Sequence, residues 1–371
     1  MKPLDGIKII DFSTLLPGPL ATLILAEAGA EVIKVEKPGG EDMRRSPPFI
    51  DGESVLFGVL NRGKRSIELD IKSEEGFNKI TNLIKSSDIV VDQFRPGVMD
   101  RLGLDFKNLL KIKPNIIHCS ITGYGQTGPK KLVAAHDLNY MAESGLLSLA
   151  REKDGSPAMP NTQIADIAGG SYPAVINILL ALREVEKTGQ GKFLDISMTD
   201  NLFPFMWMAL GLTTDNYYAK GGDLQLTGAS PRYGIYETLD KGYIALGALE
   251  EKFWLRFCEV INLPKEFIND KVNPTASKKE IIKILKEKTT KYWKEILDKE
   301  NNICCSIVSS LKEAMLDAQV IERELLTANM QIGNKKIIAM PTPLAPLWRP
   351  KEIIESAPKL GEANAFYMEK P

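Results

Sequence analysis

The chain begins with a short apolar run, IKIIDF at residues 7–12, then a loop, TLLPGP, then LATLILAEAGA, which is apolar on nearly every face, and then a second run, EVIKVE. Short apolar runs bounded by Gly and Pro read as strands, and a longer one without a polar stripe reads as a buried helix, so this segment predicts a β-α-β unit. The pattern recurs. RSIELDI is followed by a helix from Ser73 with Phe77, Ile80, Leu83 and Ile84 on one stripe, then by DIVVD, and a short helix after Asp105 leads into NIIHCSIT. Such alternation predicts a parallel sheet with helices on both faces, and ligands in such sheets sit beyond the carboxyl ends of the strands.

A helix over about residues 168–185 precedes TGQGKFLDISMTD, which returns the chain to a strand, and then the Met-rich NLFPFMWMALG. Near residue 222 the pattern changes. RYGIYETLDKGYIALGAL predicts a hairpin turning at Asp240, Lys241 and Gly242, and two Lys-rich amphipathic helices follow within 277–300. A chain of 371 residues exceeds the usual single core. The expected organisation is α/β: a large domain with a Rossmann-like parallel sheet at 1–222, a smaller α+β domain at 223–325, and a Pro-rich segment, 326–371, returning to pack on the large domain.

Composition narrows the chemistry. With 47 basic and 48 acidic residues the net charge is -1, which argues against a general nucleic-acid binder. The four cysteines show no CxxC spacing, and the adjacent Cys304 and Cys305 cannot readily pair, so a reducing compartment is expected. The N-terminus enters a strand with no apolar signal region, and no apolar run approaches the roughly 20 residues that span a bilayer; a soluble, cytoplasmic protein without a membrane partner is expected. No GxGxxG follows the first strand, no GxSxG occurs, and two histidines with scattered cysteines lack zinc-site spacing, so no metal is expected.

His118 lies inside the apolar NIIHCSIT and reads as a packed core histidine. His136 differs, because it follows TGYGQTGPKK, a glycine-bounded loop leaving that same strand, where α/β proteins bind ligands. A functional imidazole and a structural one both remain open there. Asp166, in QIADIAGGS, is either a helix cap worth about 1 kcal/mol or a carboxylate facing a ligand that the two glycines let approach the backbone. Glu250, in GALEEKF, taken alone is a surface acid at the end of a hairpin strand.

Five stretches, RPGVMDRLGLD (95–105), SITGYGQTGP (120–129), AHDLNYMAESG (135–145), IADIAGGS (164–171) and TGQGKFLDISMTD (188–200), resemble in order and spacing the class III CoA-transferase superfamily. The likeness runs from about residue 3 to residue 255 and more weakly to APKLGE at 357–362. AHDLNY and GALE are similar to the GHDINY and GAIE motifs of the α-methylacyl-CoA racemase branch. Transferases of the superfamily typically lack that histidine, run longer and carry a glycine-rich loop, which GGDLQLTGAS matches poorly. Ala135 replaces the motif's glycine, and Ala363 stands where many members have histidine.

The resemblance implies an enzyme that interconverts (R)- and (S)-2-methylacyl-CoA thioesters, moving a proton on and off the carbon next to the thioester. His136 and Asp166 would be bases on opposite faces of an enolate, Glu250 would orient His136, and backbone N–H groups after Asp166 would serve the enolate oxygen. The alternative is CoA transfer through an acyl anhydride on Asp166. The CoA handle would be held by Lys37, Leu69, Asp70, Ile71, Lys72, Gln93, Phe94, Arg95 and Arg101, with Ala135, Asp137 and Tyr140 completing the site. CoA is then part of the substrate and no separate cofactor is needed. The resemblance further implies an interlocked homodimer.

Overall fold

The computed structural model describes residues 2–152, 154–213, 217–351 and 356–368. The chain divides into two compact units, one of Met1–Ser144, Pro160–Phe205 and Ala318–Pro371, the other of Gly145–Met159 and Met206–Asp317.

The first unit is built on a six-stranded sheet, all pairs parallel, in the spatial order Arg65–Glu68, Glu31–Glu36, Lys8–Asp11, Ile89–Asp92, Ile117–Thr122, Lys192–Ser197. Numbered along the chain this is 3-2-1-4-5-6, the doubly wound Rossmann-like order expected from the alternating pattern. The order reverses between the first and fourth strands, where Ile9 lies opposite Ile89. Ile9, Ile10, Ile33, Ile67, Val90 and Val91 are fully buried, as befits a parallel sheet covered on both faces. The helix Pro17–Glu27 buries every residue but Ala26, which explains its lack of a polar stripe, and Pro17 sits in its first turn, where a missing N–H costs nothing. Helix Glu74–Lys85 is capped by Ser73, whose Oγ accepts from the Gly76 N–H at 3.0 Å, and it buries Ile80, Leu83 and Ile84. Near the C-terminus, Ala363 N–H donates to the Ser66 carbonyl at 3.0 Å and Asn364 Oδ1 accepts from Glu68 N–H at 2.9 Å, so this segment finishes the sheet edge.

One finding differs from expectation. The helical run Ala165–Thr188 is, by length and composition, long and apolar enough to cross a membrane. Its α-helical part, Tyr172–Thr188, nevertheless packs on the last two strands of the sheet and buries Ala174, Ile178 and Ala181. The charged Asp166, Arg183, Glu184 and Glu186 at its two ends hid the length of the run.

In the second unit the hairpin forms as Tyr233–Glu237 against Tyr243–Gly247, with Lys241 in the left-handed region at the turn (φ 61°). A third strand, Cys305–Ile307, pairs with the hairpin, and at three residues it was too short to show a period. Helices Pro274–Leu285 and Thr290–Leu297 supply Ile281, Leu285, Trp293 and Leu297 to a core that also holds Tyr236, Ile244, Trp254 and Phe257.

Candidate active site

The carboxyl ends of the first, fourth and fifth strands open on one cavity of about 260 Å³, at the point where the strand order reverses. The loop after the first strand contributes Thr14, Leu15 and Pro17, the fourth Gln93, Phe94 and Arg95, and the fifth Thr122, Gly123 and Tyr124. Lys131, Ala135, His136, Tyr140, Asp166 and Met198 close the wall.

Tyr140 shapes the histidine's loop. Its hydroxyl donates to the Ala135 carbonyl at 2.7 Å, and its ring stands edge-on to Tyr124 with centroids 5.3 Å apart. The ring also lies against Gly123, where a Cβ would come within 2.4 Å of it, so residue 123 must be glycine. The backbone of His136 starts the helix Asp137–Ser144: its N–H donates to Asn139 Oδ1 at 3.0 Å and its carbonyl accepts from Asn139 N–H at 2.8 Å. The imidazole is left exposed on the cavity wall.

Asp166 sits in a π-helical turn, Ala165–Ser171, that feeds the helix Tyr172–Thr188. Burial, and secondly the nearby Asp137 carboxylate, push its carboxyl up to about 7. Asp137 Oδ1 accepts the Asp166 N–H at 2.9 Å. Burial raises the Asp137 carboxyl as well, opposed by the backbone N–H groups of Asp166 and Ala165.

Two local expectations change. The close approach that Gly169 and Gly170 permit is to the chain itself and not to a ligand: a Cβ on Gly169 would meet the Met198 carbonyl oxygen at 2.5 Å, and one on Gly170 would meet Pro17 Cβ at 3.1 Å. Of the N–H groups at this helix start, that of Asp166 donates to Asp137 and that of Ile167 to the Gln163 carbonyl at 3.1 Å, so neither of these two is free for an enolate oxygen. His118 is the buried core histidine expected, with Nε2 2.7 Å from Asp92 Oδ2 and its ring tilted against Phe193.

A carboxyl group that titrates near neutral pH and an imidazole border the same cavity, with Arg95, Lys131 and Gln93 available as donors. This is equipment for proton transfer or acyl transfer. The model of CoA-transferase family III matches residues 4–364. The chain belongs to this family. It is 35% identical to the succinyl-CoA:glutarate CoA-transferase of Mus musculus, over 92% of this chain and 80% of that protein, and 32% identical to the human alpha-methylacyl-CoA racemase, over 84% and 79%. The crystal structure of Rv3272 from M. tuberculosis superposes with a TM-score of 0.84 at 27% identity, covering 99% of both chains. Family members are enzymes acting on CoA thioesters.

The residues singled out in the sequence of this family III chain fall into three groups. Gln93, Phe94, Arg95, Ala135, His136, Tyr140 and Asp166 line the cavity, and Asp137 stands one hydrogen bond behind it. Lys37, directly after the second strand, and Leu69, Asp70, Ile71 and Lys72, after the third, lie outside the cavity at the same carboxyl edge of the sheet. Lys37 Nζ pairs there with the exposed Asp42 at 3.1 Å, Leu69 and Ile71 pack on the core, and Arg101 ends the short helix Val98–Arg101. Glu250 belongs to the second unit, exposed, immediately before the helix Glu251–Val260. Thr14, Leu15, Pro17, Lys131 and Met198 also line the cavity. Their signal was positional: each of the first three follows the carboxyl end of a strand.

Proposed function

We propose that this family III enzyme is a 2-methylacyl-CoA epimerase. One of His136 and Asp166 removes the α-proton of the thioester, leaving an enolate, and the conjugate acid of the other returns a proton to the opposite face, so one proton leaves and one arrives. The observation that carries this reading is the Asp166 carboxyl at about 7 in a cavity shared with His136: it can serve as acid or base at neutral pH, as a reversible exchange requires. Glu250 orients His136; Lys37, Leu69, Asp70, Ile71, Lys72, Gln93, Phe94, Arg95 and Arg101 hold the CoA handle; and no separate cofactor takes part.

A second reading has its own support in relatives named as CoA-transferases. There the ionised Asp166 attacks the thioester carbonyl, CoA leaves as the thiolate, and a mixed anhydride remains for a second acid. A single epimer of a 2-methylacyl-CoA in deuterated water separates the two. The epimerase incorporates deuterium at the α-carbon and approaches an equal mixture without a second acid, and His136→Ala and Asp166→Asn each lose at least about a hundredfold of epimerisation. Transfer of CoA to an added carboxylic acid with the α-proton retained, and a largely active His136→Ala, would establish the transferase instead.

We further propose a homodimer. The helix Tyr172–Thr188 leaves Tyr172, Ile176, Leu179 and Leu180 exposed at helical spacing, Leu180 at 64%, and a second copy would cover this stripe.

A further inference from the structure

The loop joining the first strand to its helix, Ser13–Leu16, carries a conformational cost at the cavity wall. Leu15 has φ 62°, in the left-handed region that a leucine adopts only when its surroundings impose it. The residue is 39% exposed and lines the cavity, so burial does not offset that cost.

What imposes the conformation lies underneath. Glu41 Oε2 accepts the N–H of Leu15 at 3.0 Å, from 26 residues further along the chain. Glu41 is buried, and its Oε1 lies 2.9 Å from the fully buried Lys34 Nζ as a charge contact off the line of a hydrogen bond. The same ammonium donates to the Ser13 carbonyl at 2.8 Å, while Asp11 Oδ1 accepts the Ser13 N–H at 2.9 Å. Lys64, also fully buried, pairs with Asp11 Oδ2 at 3.3 Å. Two cations and two anions thus form a balanced set out of water, the condition under which buried charges are tolerated. None of the four touches the cavity. Each acts through the loop, whose far end is fixed by Ser171 Oγ donating to the Pro17 carbonyl at 2.8 Å, from the helical run that also carries Asp166.

We propose that Glu41, held in place by Lys34, is a positioning residue for the reaction: it keeps Leu15 left-handed and so sets the Thr14–Pro17 wall of the cavity that His136 also lines. This rests on the cavity being the reaction site. A purely structural ion pair would need no bond to the one strained residue of the loop.

The test is a double-mutant cycle with Leu15→Gly, because glycine adopts φ near +60° freely and needs no strap. The measurements are kcat and KM with a 2-methylacyl-CoA, and titration with free CoA for the fraction of competent sites. Glu41→Ala in the native background is expected to lower kcat/KM tenfold or more with the competent fraction intact, since small displacements at a reacting centre cost that much or more. In the Leu15→Gly background the same change is expected to cost threefold or less. Glu41→Gln, which keeps an acceptor for the Leu15 N–H, should restore most of the loss. Equal losses in both backgrounds, or native kcat/KM in Glu41→Ala, would overturn the proposal. Should Glu41→Ala not fold, the apolar pair Lys34→Met with Glu41→Leu removes both contacts without an unpaired charge, and native rates there overturn it equally. If the wild-type enzyme transfers CoA and does not exchange the α-proton, the epimerase assignment fails while the cycle is read unchanged in the transfer rate.

Discussion

At the scale of single residues the decisive quantity is the affinity of Asp166 for its proton. Burial is the larger cause of its elevation and the Asp137 charge the second, so the two can be separated by removing the charge alone. Asp137→Asn keeps an oxygen to accept the Asp166 N–H, and deleting the negative neighbour eases ionisation of Asp166. Its midpoint should therefore move down from about 7 while staying above the ordinary aspartate value, because burial remains. In the direction where Asp166 donates the proton, the alkaline fall in kcat/KM should shift to lower pH in Asp137→Asn. A midpoint that stays or rises would show that the Asp137 charge does not act on Asp166. The sequence made Asp166 and His136 visible as residues of the right type at strand ends and helix starts. It did not show Asp137 as the modulator, because that role depends on a contact across 29 residues.

At the scale of elements, the π-helical turn Ala165–Ser171 is held against the chain around Met198 so closely that Gly169 has no room for a side chain. Alanine favours a helix over glycine by roughly 1 kcal/mol, yet its Cβ at 169 would lie 2.5 Å from a backbone oxygen, which no rotamer change relieves. The clash wins. Gly169→Ala is expected to destabilise by about 1–3 kcal/mol in denaturant unfolding and to lower activity through displacement of Asp166. Gly211→Ala, where a Cβ meets nothing within 4 Å, should be neutral or slightly stabilising. A neutral Gly169→Ala would contradict the packing described. Strands and helices with strong period, such as Glu31–Glu36 and Glu74–Lys85, were legible because burial and period coincide in them. The strand Cys305–Ile307 was not, being defined only by its partner Tyr243–Gly247, and neither was the crowding that explains Gly169.

At the scale of the molecule, the alternation of elements announced the doubly wound sheet, and with it the end of the sheet where chemistry belongs. The reversal between Lys8–Asp11 and Ile89–Asp92 then placed the cavity, because flanking loops diverge there. If two copies share their sites as the proposed homodimer implies, Glu250→Gln and His136→Ala lie in different units of the chain, and co-expression places them on different copies in a heterodimer. When Glu250 of one copy serves His136 of the other, one of the two sites in a heterodimer carries both lesions and the other carries neither. About half of the wild-type activity per heterodimer should then return, although each parent homodimer is inactive. When Glu250 serves His136 of its own copy, every site carries one lesion and the mixture stays as inactive as its parents. Isolation of tagged heterodimers followed by the deuterium-exchange assay distinguishes these outcomes, and an inactive, verified heterodimer would count against a site shared between copies.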